Sequence, residues 1–411
     1  MTTWSTLRSF PLPIRLLVVN QFGVNVGFYL LLPYLAGYLA DDVGLSAAVI
    51  GIVLGVRNLS QQGLFLLGGS AADRLGARGI IIAGCALRAV GFGLFALGTA
   101  LPVLLAASIL SGLAGALFNP AVRSYVAQAA TDRRAEAFAL FTVFASAGAL
   151  LGPLLGSVLL LVDFRAAALT AAGLFAALTV AQAVWLPATP ATSAGATLWQ
   201  DWRAGLADRR FLAFSVALAG MFALQTQLYL ILPVQAEHVT GQPVAVAVLF
   251  VVSTVVTLTL QLPLTGWLQG RWRRGASITV GMAVMGAGFL LPLLRVESSS
   301  PVLRLAPVLA AAVLLTLGVM IAQPFVLELI PAFAGPRLTG TYFGLFYLVS
   351  GVLAAGCTAA VGAAVGTATG VPPVAWLLTS AVGVASAGAV WLLRLDRPRT
   401  SAPTPTPAGV S

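Results

Sequence analysis

Charged side chains are scarce in this chain of 411 residues, at 8% of the total, against roughly 25% in an average soluble domain. With 59% of the residues hydrophobic, a water-soluble fold of this length has too little polar surface to cover them, and that class is excluded. Lysine is missing altogether: the 22 basic residues are arginines, and the net charge is +10. A nucleic-acid binder would gather such charge on one face or along one helix. These arginines stand at the ends of apolar runs, so no nucleic-acid partner is expected. The only cysteines, Cys85 and Cys357, lie within apolar runs and read as small buried hydrophobes, not as a disulfide or metal pair. The single histidine, His238, falls in AEHVTGQP, which reads as an outer loop; there it would be solvated and not a proton relay. Zinc-ligand spacing, a P-loop, a GxSxG elbow and a dinucleotide fingerprint are all missing, so neither an ATP-driven pump nor a membrane enzyme is expected, and no metal or cofactor.

Stretches of about 20 mainly apolar residues, the length a bilayer span needs, recur along almost the whole chain. Runs such as Val103 to Leu117 or Leu305 to Ile321 are apolar on every face, unlike the strictly alternating strands of about 10 residues in a membrane barrel. Helices are therefore implied, since a helix satisfies its own backbone in lipid. The spacing predicts twelve spans near 14–39, 47–71, 79–100, 103–127, 136–161, 166–186, 210–236, 244–268, 277–296, 305–330, 341–366 and 373–394. Arg8 and Arg15 ahead of the first run imitate a signal peptide. That run is too long, holds Asn20 and Asn25 and offers no clear cleavage site, so it reads as a retained helix.

With the N-terminus inside, the even-numbered connections become cytoplasmic and hold Arg74, Arg78, Arg133, Arg134, Arg203, Arg209, Arg210, Arg271, Arg273, Arg274 and Arg337, followed by Arg394, Arg397 and Arg399 after the last span. The other side has little beyond Arg165, Arg295 and Arg304, next to Asp41, Asp42, Asp163, Glu237 and Glu297. The positive-inside rule thus places both termini in the cytoplasm of a multi-pass inner-membrane protein. The chain divides into a six-helix bundle at 1–186, a linker at 187–209, a second bundle at 210–395 and a disordered tail at 396–411. In the linker, Leu198, Trp202 and Leu206 recur at helical spacing beside charges, which suggests an interfacial helix. An internal echo links the halves: Tyr29-Leu30-Leu31-Leu32-Pro33 in span 1 reappears as Tyr229-Leu230-Ile231-Leu232-Pro233 in span 7, and Gln61 and Gln261 follow in spans 2 and 8.

Span 2 ends in Gly68-Gly69-Ser70-Ala71-Ala72-Asp73-Arg74-Leu75-Gly76-Ala77-Arg78, a short charged turn whose glycines permit close packing. A degenerate copy, Gly266-Trp267-Leu268-Gln269-Gly270-Arg271-Trp272-Arg273-Arg274, follows span 8. Span 5 holds Gly148, Gly152, Pro153 and Gly156, a small-residue face broken by a proline; as physics this is a helix-packing face. The first pattern resembles the loop 2-3 signature of the major facilitator superfamily. The second is similar to the GxxxGPxxGG motif of its exporters, drug:proton antiporters in particular, with Ser157 where the last glycine would stand. The runs Gly51 to Arg57 with Gln61-Gln62-Gly63, Leu110-Ser111-Gly112 with Phe118-Asn119-Pro120, and Asp163-Phe164-Arg165 resemble the multidrug-resistance MdtH branch. The resemblance implies an all-α fold of twelve spans in two six-helix bundles, alternating access, and proton-driven efflux of small organic compounds by a monomer whose partners are its substrate and membrane lipid. It also exposes departures. Asn20 and Gln323 stand where that branch has acidic residues, and Ser108 where related exporters carry an arginine. An amide cannot exchange a proton near neutral pH, so both weaken a carboxylate-based coupling.

Ionisable groups at membrane depth are costly and are functional candidates. Arg57, in span 2, either meets an anionic substrate or a switchable partner across the cavity, or is bonded to helix carbonyls or near Gln61. Arg88, mid-span 3, reads as half of a structural pair. By resemblance Asp73, with Arg74 and Arg78, gates the conformational change, and Arg123 lies at a depth where it could join Asp73 and Glu136 in a cytoplasmic ion-pair network that latches one state. Glu328 is the first candidate for a titrating group, or an interfacial anchor. Asn20, Asn25, Tyr29, Asn119, Gln225, Gln227, Tyr229, Gln261 and Gln323 are each polar in an apolar helix; each lines a cavity or bonds a neighbouring helix. The reading is an exporter of amphipathic molecules. An importer or facilitator of a small anionic metabolite and a non-transporting sensor or lipid-handling protein on the same fold are the alternatives.

Overall fold

The computed structural model describes residues 3–192, 197–242, 244–294, 296, 298–365 and 370–395. The expectations for Arg295, Glu297, Arg397, Arg399 and the 396–411 tail lie outside the described residues. A short amphipathic turn, α1 (Thr3–Ser9), precedes the first long helix, α2 (Leu12–Asp41). Then come α3 (Ala47–Gly63), α4 (Phe65–Leu75), α5 (Ala77–Leu97), α6 (Leu101–Ala129), α7 (Arg134–Leu159) and α8 (Phe164–Trp185). A ten-residue helix, α9 (Leu198–Ala207), crosses to the second half, built of α10 (Arg209–Thr226), α11 (Ile231–Thr240), α12 (Val244–Gln269), α13 (Arg274–Gly288), α14 (Pro301–Ala334), α15 (Thr339–Val365) and α16 (Pro373–Leu392).

Among the described residues 11 helical segments are long and apolar enough to cross a bilayer, and α3 with α4 makes a twelfth span bent by 44°. Two predicted spans are thus interrupted. Span 2 breaks at Leu64, directly after Gly63, and span 7 breaks between Thr226 and Ile231, where the echoed Tyr229 sits. Each break follows a polar cluster, Ser60-Gln61-Gln62-Gly63 in span 2 and Gln225-Thr226-Gln227 in span 7, inside a run otherwise apolar enough to read as one continuous span. His238 is not in a loop: α11 continues to Thr240 and ends on Gly241 in the left-handed conformation that glycine favours.

The helix pairings repeat. In the first half α2 packs on α7, α5 on α6 and α8, α2 on α8, and α3 on α6. In the second, α10 packs on α15, α13 on α14 and α16, α10 on α16, and α12 on α14. Each pair has its counterpart six spans later, as in a transporter built from repeats. The halves join through the same symmetry, α4 against α15 and α12 against α7. Neither α2 nor α3 packs along α10, α11 or α12 among the described residues.

Small residues set the tightest approaches. A Cβ on Gly148 would run into the Phe22 carbonyl, one on Gly152 into the Tyr29 Cβ, and one on Gly156 into the Leu30 carbonyl. The glycine stripe of α7 is therefore the seat of α2, and the Tyr34 hydroxyl donates to the Pro153 carbonyl at 2.7 Å beside it.

Candidate functional site

At mid-depth α7, the break between α10 and α11, α12 and α14 enclose a cavity of about 250 Å³. Its polar lining is neutral: Thr142, Ser146, Gln225, Ser253, Thr257, Thr316 and the amides of Gln261 and Gln323. Phe250, Leu228, Val319 and Met320 supply apolar wall, and the Tyr229 ring leans on Phe250 at 5.4 Å. Gln261 is held by the Thr265 hydroxyl at 3.0 Å and the Met320 carbonyl at 3.3 Å. The Gln225 amide nitrogen is buried without a partner. Of the nine polar candidates, four (Gln225, Tyr229, Gln261 and Gln323) line this cavity.

The others turn elsewhere. Asn20 accepts a bond from Gln182 of α8 at 2.6 Å, inside the first bundle. Asn25 bonds the Gln21 carbonyl in its own helix and faces Gly148. Asn119 serves Arg123 through its carbonyl and its side chain. Gln227 bonds back to the Ala223 carbonyl. Tyr29 packs on Gly152 and Phe28, within electrostatic reach of both Arg57 and Tyr229.

The halves close on the arginine-rich face. Asp73, 2% exposed at the end of α4, accepts the backbone N–H groups of Gly340 and Thr341, each at 2.7 Å, and the Thr341 hydroxyl at 2.8 Å. These amides belong to the first turn of α15, where N–H groups have no intrahelical partner and the helix dipole favours an anion. Contact is close because Gly69 and Gly340 face one another; a Cβ on either would strike the other's carbonyl oxygen. Above this joint lies α9. Asp201, 1% exposed, pairs with Arg74 of the first half and with Arg337 of the second, the latter at 3.1 Å. Trp202 donates to Ser70 at 2.8 Å, and Thr192 bonds both the Asp73 and Arg337 carbonyls. The buried side of α9 is the Asp201–Gly205 side, whereas Leu198 and Leu206 are exposed.

The expected network of Asp73, Arg123 and Glu136 does not form. Arg123 lies over the Tyr347 and Phe141 rings and bonds Asn119, Glu136 pairs with Arg133 three residues earlier, and Asp73 is satisfied by α15. Arg78 bonds the Ala183 carbonyl. Glu328 is removed from the mid-depth cavity: it pairs with Arg274 at 2.7 Å in a separate crevice of about 1040 Å³ on the arginine-rich face. Sequence reasoning passed over Asp201 and Thr341, and read Trp202 only as part of an interfacial helix. The signal for Asp201 was an acidic residue in a short basic linker; Thr341 carried none, being one hydroxyl in an apolar run.

Inside the first bundle two arginines flank Phe28, with their guanidinium carbons 5.3 Å (Arg57) and 6.0 Å (Arg88) from its centroid. Arg57 bonds the side chains of Asn58 and Gln61. Arg88 is 5% exposed, lies also against Phe118 and Phe175, and its Nε and Nη1 are buried with no hydrogen bond. The expected structural pair for Arg88 is not there. Ring contacts of this kind contribute about 0.5 to 2 kcal/mol each, whereas enclosing an unpaired ion costs several kcal/mol even after relaxation.

The comparisons agree with this architecture. The profile of the Major Facilitator Superfamily matches residues 17–356. An uncharacterised MFS-type transporter of Mycobacterium tuberculosis is 44% identical over 353 residues, 84% of each chain. Multidrug resistance protein MdtH of Klebsiella pneumoniae is 33% identical over 380 residues, 91% of this chain and 92% of its own. Among solved structures, the fucose:proton symporter FucP of E. coli superposes with a TM-score of 0.74 at 13% identity, over 93% of this chain and 98% of that one. With matching profile, relatives and fold, the chain is a multi-pass membrane transporter, not an enzyme, and belongs to the Major Facilitator Superfamily.

Proposed function

We propose that this transporter exports small amphipathic organic molecules by alternating access, driven by the proton gradient, with its arginine-rich face and both termini in the cytoplasm. The observation that carries the reading is the mid-depth cavity: apolar wall with scattered amides and hydroxyls, and no carboxylate in its lining. Such a surface selects by shape and apolar area more than by a fixed polar pattern. The arginine-rich face fits the cytoplasm by the positive-inside rule. In that orientation the joint of α4 and α15 seals the inside while the cavity faces out, the state in which an exporter releases cargo. MdtH, the multidrug resistance relative, points the same way.

Asp73 is then the gate. Protonating it would remove the charge that the α15 amides solvate and free the two halves to part. Glu328 lines a crevice between the halves but is already paired with Arg274 of its own half. Efflux of a fluorescent lipophilic dye from cells and its uptake into everted vesicles, with and without a protonophore, test the reading. Protonophore-sensitive dye movement is the expected result. Movement indifferent to the gradient removes the proton coupling, and no dye movement at all removes the export of amphipathic compounds.

A further inference from the structure

We infer that Arg57 and Arg88 form an anion-recognising subsite beside the cavity, and that the exported molecules carry a carboxylate or similar anionic head on an apolar body. The inference rests on the export reading and narrows its substrate class.

A guanidinium cannot shed its proton inside a protein. Arg88 therefore keeps its charge among three phenyl rings, with no hydrogen bond on Nε or Nη1. No internal counter-charge is on hand. Of the helices of this bundle, α2, α3, α5, α6 and α8 contain no Asp or Glu apart from Asp41, the last residue of α2, while Asp73 of α4 is bonded to α15 and Glu136 of α7 to Arg133. Orphan donors gather in the same region: Nε of Arg57, Nε and Nη1 of Arg88, and Nδ2 of Asn20. Gln182 links Asn20 to Cys85 by hydrogen bonds, and Cys85 stands one turn before Arg88 on α5. Two cations that flank one ring with unfilled donors and no carboxylate need an anion from outside.

The approach runs through Arg57. Its guanidinium is bonded only to the neutral side chains of Asn58, which is exposed, and Gln61, and a carboxylate replaces such acceptors with a charge-assisted pair. Tyr29, whose ring touches Phe28, sits on Gly152 of α7, the helix whose Ser146 and Ala149 line the cavity. A head on Arg57, with Arg88 against the same Phe28 ring, leaves the body of the ligand for the apolar wall of Phe250, Leu228, Val319 and Met320. The energetics follow. An inside-negative membrane potential adds to the proton gradient in driving an anion outward, and the cavity lining holds no carboxylate to repel it.

The test uses the full-length protein in nanodiscs of zwitterionic lipid, with empty discs subtracted. Calorimetric titration compares decanoate with 1-decanol, decyltrimethylammonium and acetate. Decanoate should bind at least tenfold more tightly than decanol or the ammonium, and acetate and chloride should not stabilise the protein. Arg57→Gln and Arg88→Gln should bring decanoate and decanol within threefold of each other. Asn20→Asp, an internal carboxylate linked through Gln182 toward Arg88, should weaken decanoate at least fivefold and leave decanol unchanged. Arg88→Met guards against a purely structural role: on this inference it melts no lower than the parent in anion-free buffer and gains nothing from decanoate. Equal affinity for decanoate, decanol and decyltrimethylammonium, a lower melting point for Arg88→Met with unchanged decanoate binding, or stabilisation by chloride equal to that by decanoate would each overturn the inference. Dye efflux without head-group preference sinks this inference alone, and head-group preference without efflux sinks the export reading alone.

Discussion

The carboxylate of Asp73 and the residue Thr341, 268 positions apart in the chain, are joined twice, through the Thr341 backbone N–H at 2.7 Å and its hydroxyl at 2.8 Å. A third bond from Gly340 completes the cap. An asparagine has the same shape but one oxygen, so Asp73→Asn sets its NH2 against the Gly340 or the Thr341 N–H. A buried mismatch of that kind costs about 1 to 3 kcal/mol, which shifts the balance between closed and open states about 5- to 150-fold. The variant should insert normally and transport poorly. A cysteine placed at buried Ala72, in a background free of Cys85 and Cys357, should react faster with an impermeant thiol reagent applied to the arginine-rich face. An unchanged labelling rate would remove Asp73 from the gate.

Packing holds the same joint from the other side. Gly69→Val places a branched side chain where even a Cβ meets the Gly340 carbonyl oxygen, and overpacking of this sort costs about 1 to 3 kcal/mol. It should open the arginine-rich face as Asp73→Asn does, by a steric route that no change of pH reverses. Gly79→Ala is the control: nothing lies within 4 Å of a Cβ there, and the helix should gain about 0.5 to 1 kcal/mol. Melting curves of the two variants, together with Ala72 labelling, separate the effects.

The spans were legible because each is a long apolar run, and lipid leaves such a run no structure but helix. The residues that join the spans were not. Asp73 could be singled out because its glycine-rich charged turn resembles the loop 2-3 signature, but its partner could not, because backbone N–H groups leave no mark on sequence. Arg123 and Glu136 share its depth and suggested a network; depth along a helix axis says nothing of azimuth, and Arg123 points instead at the Tyr347 ring. Asn20 and Gln323 looked alike as amides within apolar spans, yet one faces α8 and the other the cavity. Periodicity could not divide them, since helices apolar on every face have no polar side to mark the cavity.

The linker helix fastens the closed face through one carboxylate. Asp201 meets Arg74 and Arg337 from opposite halves, so Asp201→Ala leaves two arginines without that shared partner. Removing one member of a buried pair costs about 3 to 5 kcal/mol; with Arg337 half-exposed the loss should fall toward the lower figure. The expected outcome is a lower melting temperature and faster Ala72 labelling. Asp201→Asn should recover part of both, because an amide still accepts from one arginine. If Asp201→Ala melts like the parent, the strap is ornamental.

The neutrality of the cavity can be reversed at one position. Gln323 lines it at mid-depth on α14, with Gln261 and Thr316 close by, and Gln323→Glu introduces a carboxyl group where none lines the wall. A cationic dye held about 8 Å from that group gains about 2 kcal/mol at an effective dielectric of about 20, roughly a 30-fold increase in affinity. The gain exists only when the group is ionised, so dye affinity should rise with pH in the variant and stay flat in the parent. Fluorescence titrations of the dye between pH 5 and 9 read this directly. A variant whose affinity is as flat as the parent's would mean that Gln323 does not face the bound molecule, and the mid-depth cavity would lose its place as the binding site.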